Sequence, residues 1–500
     1  MNKEGYLLGL DIGSSSVKAS LVSIETGRSI ASSQSPSAEM PMVAPRAGWA
    51  EQDPGMWWEH VIQCTRHCLQ KSAVNPEFVR AIGIAYQMHG LVMVDRNHKV
   101  LRSSIIWCDS RAVPIGTTAF KKLGESYCLT HLLNSPGNFT ASKLKWVKEN
   151  EPHIYEHIYK IMLPGDYIAM NLTGEIRTTT TGLSEGVFWD FKEKRVSNEL
   201  LDYFGFDKSM LADTVPVFSI QGELTKQAAG ELGLHPGVKV SYRAGDQPNN
   251  AFSLNVLKPG ESAATAGTSG VIYSVTDQDA FDERSRVNTF MHVTNDPDTR
   301  NGVLLCINGT GILNSWLRKN INSGHTPYVY EQMNAIAAQA PAGSEGLLVL
   351  PFGNGSERIL ENKEIGSSFH GLDFNRHRQP HIFRAAQEGI VFSLKYGFDI
   401  LEKMGASTGV IRAGKANMFL STVFCDAFVN SIGARLELYD TDGSKGAALG
   451  AGVGAGIYAT FDDAFKGLEL IQSLEPDQKG IDACAEAYVN WKDCLRRYLQ

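Results

Sequence analysis

No apolar run in the 500-residue sequence is long enough to cross a bilayer. Even the uncharged stretch 446–461 holds only 16 residues, dominated by Gly and Ala, too few and too weakly apolar for a membrane span. Cysteine is scarce, eight residues irregularly spaced, which excludes a disulfide framework. Excess positive charge is missing too. The net charge is −7 with basic and acidic residues interspersed, which argues against a nucleic-acid surface or an anionic membrane as partner. No Gly-x-x-x-x-Gly-Lys-[Ser/Thr] occurs, so a P-loop is excluded. The chain enters an apolar strand at Tyr6 with no separate basic segment and no small-residue cleavage site before it. The expectation is a reduced, cytoplasmic globular protein.

What is present is an ordinary soluble composition, 43% hydrophobic and 20% charged, with chain enough to bury two large cores. A weak internal repeat organises it. Gly13-Ser14-Ser15-Ser16-Val17 follows the apolar strand Tyr6 to Asp11, and Gly267-Thr268-Ser269-Gly270-Val271 follows Ser262 to Ala266. The offset, 267 − 13 = 254 residues, is close to half the length and suggests two homologous halves. Each copy reads strand, tight turn, strand, the signature of a hairpin. Between them alternate strand patterns (81–86, 104–107, 238–242, 346–351) and helical patterns (57–71, 385–401, 419–432), which predicts an α/β fold with mixed sheets. The halves are expected as residues 1–250 and 251–500. His60, Cys64, His67 and Cys68 share one side of the first helical pattern, yet Cys64 and Cys68 continue the apolar stripe from Trp57 and Val61. Core packing is therefore expected over a metal site.

A turn of Gly, Ser and Thr between strands leaves backbone N–H groups pointing into the bend, and the absence of large side chains lets a phosphate approach. One such turn commonly only connects strands. Two matched turns can hold a polyphosphate, which makes Gly13, Ser14, Ser15 and Ser16, with Gly267 and Thr268, candidate nucleotide contacts. Asp11 offers oxygen ligation to Mg²⁺, and Lys18 a counter-charge for phosphate.

At this point the residues resemble the actin, hexokinase and heat-shock ATPase superfamily, and in detail the FGGY carbohydrate kinases. Leu10-Asp11-Ile12-Gly13-Ser14-Ser15-Ser16-Val17-Lys18 looks like that family's first phosphate motif, and Gly48-Trp49-Ala50-Glu51-Gln52-Asp53-Pro54, then Trp57-Trp58, like the segment after it. Gln87-Met88-His89-Gly90 is similar to the sugar motif of members acting on the ketopentose D-xylulose, and Trp107-Cys108-Asp109-Ser110-Arg111 to their Trp-Asn-Asp-x-Arg. Thr140-Ala141-Ser142-Lys143-Leu144-Lys145-Trp146 fits one family signature. Gly371-Leu372, His381-Ile382, Ala385-Ala386 and Glu388 fit the other.

The resemblance implies two homologous actin-like, ribonuclease-H-like ATPase domains with mixed sheets around a central cleft, and transfer of the ATP γ-phosphoryl group to a sugar. By it Asp246, in Ala244-Gly245-Asp246-Gln247, aligns with the catalytic aspartate, the carboxylate that accepts the proton of the sugar hydroxyl and that can also sit at Mg²⁺ beside Asp11. Gln87, Met88, His89, Asp109 and Gln247 are the implied sugar contacts; Asp109 is equally readable as a local ion pair with Arg111. Gly311, Gly414 and Asn417 complete the implied nucleotide set.

Two departures stand out. Arg412 and Ala413 replace glycines the family has before Gly414, and Gln247 stands where many xylulose-acting members have asparagine. Gluconate, ribulose, fuculose, rhamnulose or glycerol are alternative acceptors, and an actin-like ATPase without a sugar is the alternative from another class. A sugar-sensing regulator would carry an added helix-turn-helix, for which the start of the first strand at residue 6 leaves no expected room. The residues do not disclose the oligomeric state; the resemblance allows a homodimer.

Overall fold

The computed structural model describes residues 5–321, 326–406 and 409–500. The chain packs as two compact units. The first comprises Met1–Asn255, Phe290–Asn301 and Thr441–Leu468, and the second Val256–Thr289, Gly302–Asp440 and Glu469–Gln500.

The first unit is built on a six-stranded sheet of β1 (Tyr6–Ile12), β2 (Val17–Ser23), β3 (Ser29–Ser35), β4 (Val79–Tyr86), β5 (Phe218–Glu223) and β6 (Lys239–Gly245), in the order β5-β6-β4-β1-β2-β3. β1 runs antiparallel to β2 and parallel to β4; β4 is parallel to β6, and β5 is antiparallel to β6. The central strands β1 and β4 are near-continuous apolar runs because both of their faces are covered. The second unit's sheet contains β7 (Ser262–Ala266), β8 (Gly270–Thr276), β9 (Asn301–Ile307), β10 (Val410–Gly414), β11 (Arg435–Tyr439) and β12 (Leu470–Leu474), in the order β9-β8-β7-β10-β11-β12. Again the hairpin β7-β8 is antiparallel, β7-β10 and β10-β11 are parallel, and the last pair is antiparallel. The repeat in the sequence is thus a repeat of whole sheets.

Helix Pro54–Ser72 starts where Asp53 accepts the Gly55 N–H and Pro54 occupies the first turn, and it ends at Ala73 in the left-handed conformation. Its stripe of Trp57, Val61, Cys64 and Cys68 is fully buried against β2 and β3. The Cys64 and Cys68 thiols donate to the Val17 and Ala19 carbonyls, and burial pushes their pKa values up to about 12 and about 11. They are inert core thiols. Among the described residues no three His, Cys, Asp or Glu side chains gather as a metal-holding group, and no helix is long and apolar enough to cross a membrane.

Helix Gly443–Gly454, capped by Asp442 on the Lys445 N–H, lies on β1, β4 and β6. The contact is backbone on backbone. A Cβ on Gly9 of β1 would collide with the Ser444 carbonyl, and one on Gly83 of β4 with that of Ala447. Close approach requires glycine on the sheet and small residues on the helix, which accounts for the run Gly446-Ala447-Ala448-Leu449-Gly450 as packing.

Candidate active site

β1 carries Asp11 into the hairpin, where its cross-strand partner is Lys18. Gly13 N–H closes the turn on the Ser16 carbonyl at 3.1 Å. Two side chains from elsewhere in the first unit hold the turn: Gln52 donates to the Ser14 carbonyl at 2.7 Å, and Trp107 Nε1–H to the Ser14 hydroxyl at 3.2 Å. Gln52 is itself fixed, its amide oxygen accepting from Trp57 (3.1 Å) and more loosely from Gln87 (3.4 Å). A cavity of about 240 Å³ opens beside the turn, lined by Asp11, Gly13, Ser14, Ser15, Ser16 and Lys18 together with Gln87, Trp107 and Asp246.

Asp246 follows β6 directly and opens helix Asp246–Ser253, so its carboxylate sits in the first turn, where the helix dipole favours negative charge. Burial nonetheless pushes its pKa up to about 7, with the Asp11 charge adding to the shift. Burial lifts Asp11 to about 6 against the pull of Lys18, and Asp442 adds to the rise. Gly443 packs so closely on Asp11 that a Cβ there would strike the carboxylate, and Asn249, one turn after Asp246, donates to the Gly443 carbonyl at 2.9 Å. The two acidic candidates are therefore held in one local framework.

Gln87, Met88 and His89 follow the end of β4. Gln87 N–H is tied to the Ile12 carbonyl at 2.8 Å, while among the described residues neither its buried amide oxygen nor that of Gln247 has a hydrogen-bond partner. Met88 is buried, and its side chain lies against Gly245, immediately before Asp246. His89 is in the left-handed conformation, φ 62°. Two residues without a role in the sequence reading meet it: Glu185, at the end of helix Thr180–Glu185, and Lys143. Asp109 lies apart from the cavity lining. It is fully buried, pairs with Arg111 at 2.6 Å and accepts the Ala50 N–H at 2.6 Å, while Arg111 also stacks 3.7 Å over the Trp49 ring.

In the second unit the Gly267–Ser269 turn rests on the start of helix Gly311–Asn320. Gly311 N–H donates to the Gly267 carbonyl (2.9 Å) and Ile312 N–H to that of Thr268 (3.2 Å). A Cβ on Gly311 would strike the Gly267 carbonyl. Asn417, with φ 54°, brings its side-chain amide next to Gly267, and Gly414 ends β10 close by in the chain. Arg412, which stands in place of a family glycine, faces Glu437 at 3.4 Å and Glu261 at 3.8 Å.

The duplicated sheet and its two glycine turns fit the nucleotide-dependent ATPase and kinase class, and the family matches specify which member of it this is. The profile described as FGGY family of carbohydrate kinases, N-terminal domain, matches residues 6–253, and the corresponding C-terminal domain matches 262–457. The chain belongs to the FGGY family of carbohydrate kinases, and a sugar and ATP are its substrates. It is 28% identical to the xylulose kinase of Bacillus subtilis over 467 residues, 92% of this chain and 90% of that one. Among solved structures it is similar to a xyloylose kinase from Brucella ovis (25% identity, TM-score 0.87, 99% of both chains). It has the same fold as a gluconate kinase from Lactobacillus acidophilus (22% identity, TM-score 0.88, 99% of this chain and 98% of that one).

Proposed function

We propose that this chain phosphorylates D-xylulose, giving D-xylulose 5-phosphate and ADP, with Asp246 as the base. The observation that supports the assignment of the base is one cavity lined by the Gly13–Ser16 turn, Gln87 and the buried Asp246 carboxylate. A carboxylate positioned in that cavity accepts the hydroxyl proton as the bond to phosphorus forms. The loose transition state of phosphoryl transfer asks mainly for alignment and for donors to the transferring group. The turn's N–H groups, the serine hydroxyls and Lys18 are suited to that part. The amide oxygens of Gln87 and Gln247, without a partner among the described residues, are suited to accept from sugar hydroxyls, a buried acceptor being costly when left unpaired. Gly267, Thr268, Gly311, Gly414 and Asn417 are the proposed nucleotide residues of the second unit.

Asp11 and Asp246 also fit a divalent cation: the donors are all oxygen, and two carboxylates raised by burial, the Asp11 charge adding to the rise at Asp246, are relieved by positive charge. They would hold Mg²⁺, which neutralises phosphate charge when bound.

D-xylulose is favoured as acceptor by the named relatives and by Gln87-Met88-His89-Gly90. Gluconate remains the second reading, since Gln247 extends its amide one methylene beyond the asparagine common in xylulose-acting members and the gluconate kinase shares the fold. An ADP-release assay across pentuloses, polyols and aldonates tests both. D-xylulose should give the largest kcat/KM, a preference for gluconate would replace the acceptor, and turnover with no member of the panel would overturn the proposal. Asp246→Ala should abolish phosphorylation, at least about a thousandfold in kcat, while nucleotide binding followed by calorimetry persists.

A further inference from the structure

His89 is gripped from both ends of its backbone. Its N–H donates to Glu185 Oε1 at 3.3 Å, and its carbonyl accepts from Lys143 Nζ at 2.8 Å. A third contact joins the ring to the same partner, Nδ1 lying 2.9 Å from the Glu185 carbonyl. A carbonyl can only accept, so Nδ1 carries the hydrogen, and in the neutral imidazole Nε2 is then the acceptor nitrogen. The ring is wedged against Phe139 and Phe290, with centroids 4.8 and 5.2 Å away.

Such a grip needs an explanation. A left-handed histidine is strained unless its surroundings hold it there. Glu185 and Lys143 are nearly or fully buried, at 2% and 0% exposure, and burying two ionisable groups is costly. Burial moves both toward their neutral forms: Lys143 falls to about 7, and Glu185 rises far above the usual carboxylate range, with the Asp246 charge adding to the rise. Ordinary core packing would use apolar side chains here. Glu185 also borders Gly245: its Oε2 lies 2.5 Å from the point where a Cβ on that glycine would stand, and Met88 Cγ is 2.6 Å from the same point. One buried carboxyl thus touches the His89 turn and borders the residue that precedes Asp246.

We infer that Glu185 and Lys143 are positioning residues of the sugar site, a buried clamp that fixes the left-handed Met88–His89 turn and the Nδ1–H tautomer of His89 relative to Asp246. The inference rests on the reading of Met88 and His89 as sugar contacts. The clamp acts on acceptor binding and leaves the nucleotide machinery alone.

The test is steady-state kinetics with D-xylulose and ATP varied separately, on Lys143→Met, Lys143→Gln, Glu185→Ala, Glu185→Gln and His89→Ala, with melting temperatures measured alongside. Lys143→Met and Glu185→Ala should each raise the D-xylulose KM about tenfold, the scale of one lost hydrogen bond in a preorganised site, with the ATP KM within about twofold. Glu185→Gln keeps an oxygen for the His89 N–H and should stay close to the parent; Lys143→Gln keeps a donor and serves if the methionine variant does not fold. The clamp is overturned if His89→Ala raises the D-xylulose KM while the folded Lys143 and Glu185 variants do not. It is equally overturned if both KM values rise together and Glu185→Gln offers no rescue, the pattern of a merely structural pair. If His89→Ala itself leaves the D-xylulose KM unchanged, the sugar-contact reading fails and the clamp with it.

Discussion

The two hairpin turns share a backbone plan and differ in chemistry. In the first, Ile12 pairs with Val17 across a four-residue turn, and Asp11 faces Lys18. In the second, Ala266 pairs with Gly270 across three residues, and Thr265 faces Val271. One residue fewer moves every later cross-strand pair by one position, and with Thr265 and Ile272 at the places of Asp11 and Lys18 the second hairpin has neither the carboxylate nor the ammonium. Their supports differ as well. Side chains of Gln52 and Trp107 hold the first turn, whereas backbone N–H groups of Gly311 and Ile312 hold the second. The bend is present in both copies; the facing carboxylate and ammonium are present in one.

The comparison can be broken most forcefully at Asp11. Asp11→Asn should lower kcat by about a hundredfold or more, on the scale of losing an electrostatic group at the reacting centre, while Thr265→Ala changes kcat less than about threefold. Equal losses would show that the copies share the chemistry after all. The next effect lies in the support of the second turn. Gly311→Ala puts a methyl group against the Gly267 carbonyl and should raise the ATP KM about tenfold, with the sugar KM unchanged in the same titrations.

The smallest effect concerns pH. Asp246 is raised from 3.8 to about 7 in the folded chain, so between those values the native state binds more protons than the unfolded state. The stability this group contributes is complete below about pH 4 and is lost as pH rises through 7. Asp246→Asn removes the burden: melting scans should show the variant more stable than its parent by about 1–2 kcal/mol at pH 8, one pKa unit being worth about 1.4 kcal/mol, with the difference fading as pH falls below 7. Asp246 would then be a residue whose presence costs fold stability for the sake of reactivity.

Much of this was legible because the decisive signals are local. Glycine and hydroxyl residues between apolar runs announce both hairpins, and the stripe Trp57, Val61, Cys64, Cys68 announces its helix. Asp246 was singled out only through the resemblance of Ala244-Gly245-Asp246-Gln247 to the family, a carboxylate after a strand being ordinary by itself. Signals that depend on distant partners were not legible. The burial of Asp109 beneath Ala50, the engagement of Arg412 by Glu437 and Glu261, and the meeting of Glu185 with His89, 96 positions apart, are set by packing that periodicity does not encode. Lys143 lay within a motif already quoted, Thr140 to Trp146, but nothing in its spacing directs its ammonium to a carbonyl 54 residues earlier. The exchange of segments between the units was hidden for the same reason: an apolar stretch of glycine and alanine states that it will be buried without stating where.

That exchange bears on how the molecule comes to exist. Helix Gly443–Gly454 seals the face of β1 and β4 through contacts only glycine permits, yet it is synthesised more than 350 residues after them. A ribosome that has delivered residues 1–255 has therefore delivered a sheet without its cover. The unit that holds Asp11 and Asp246 matures only after residues 441–468 have been made, and a chain released before then presents an open apolar sheet face to chaperones and proteases.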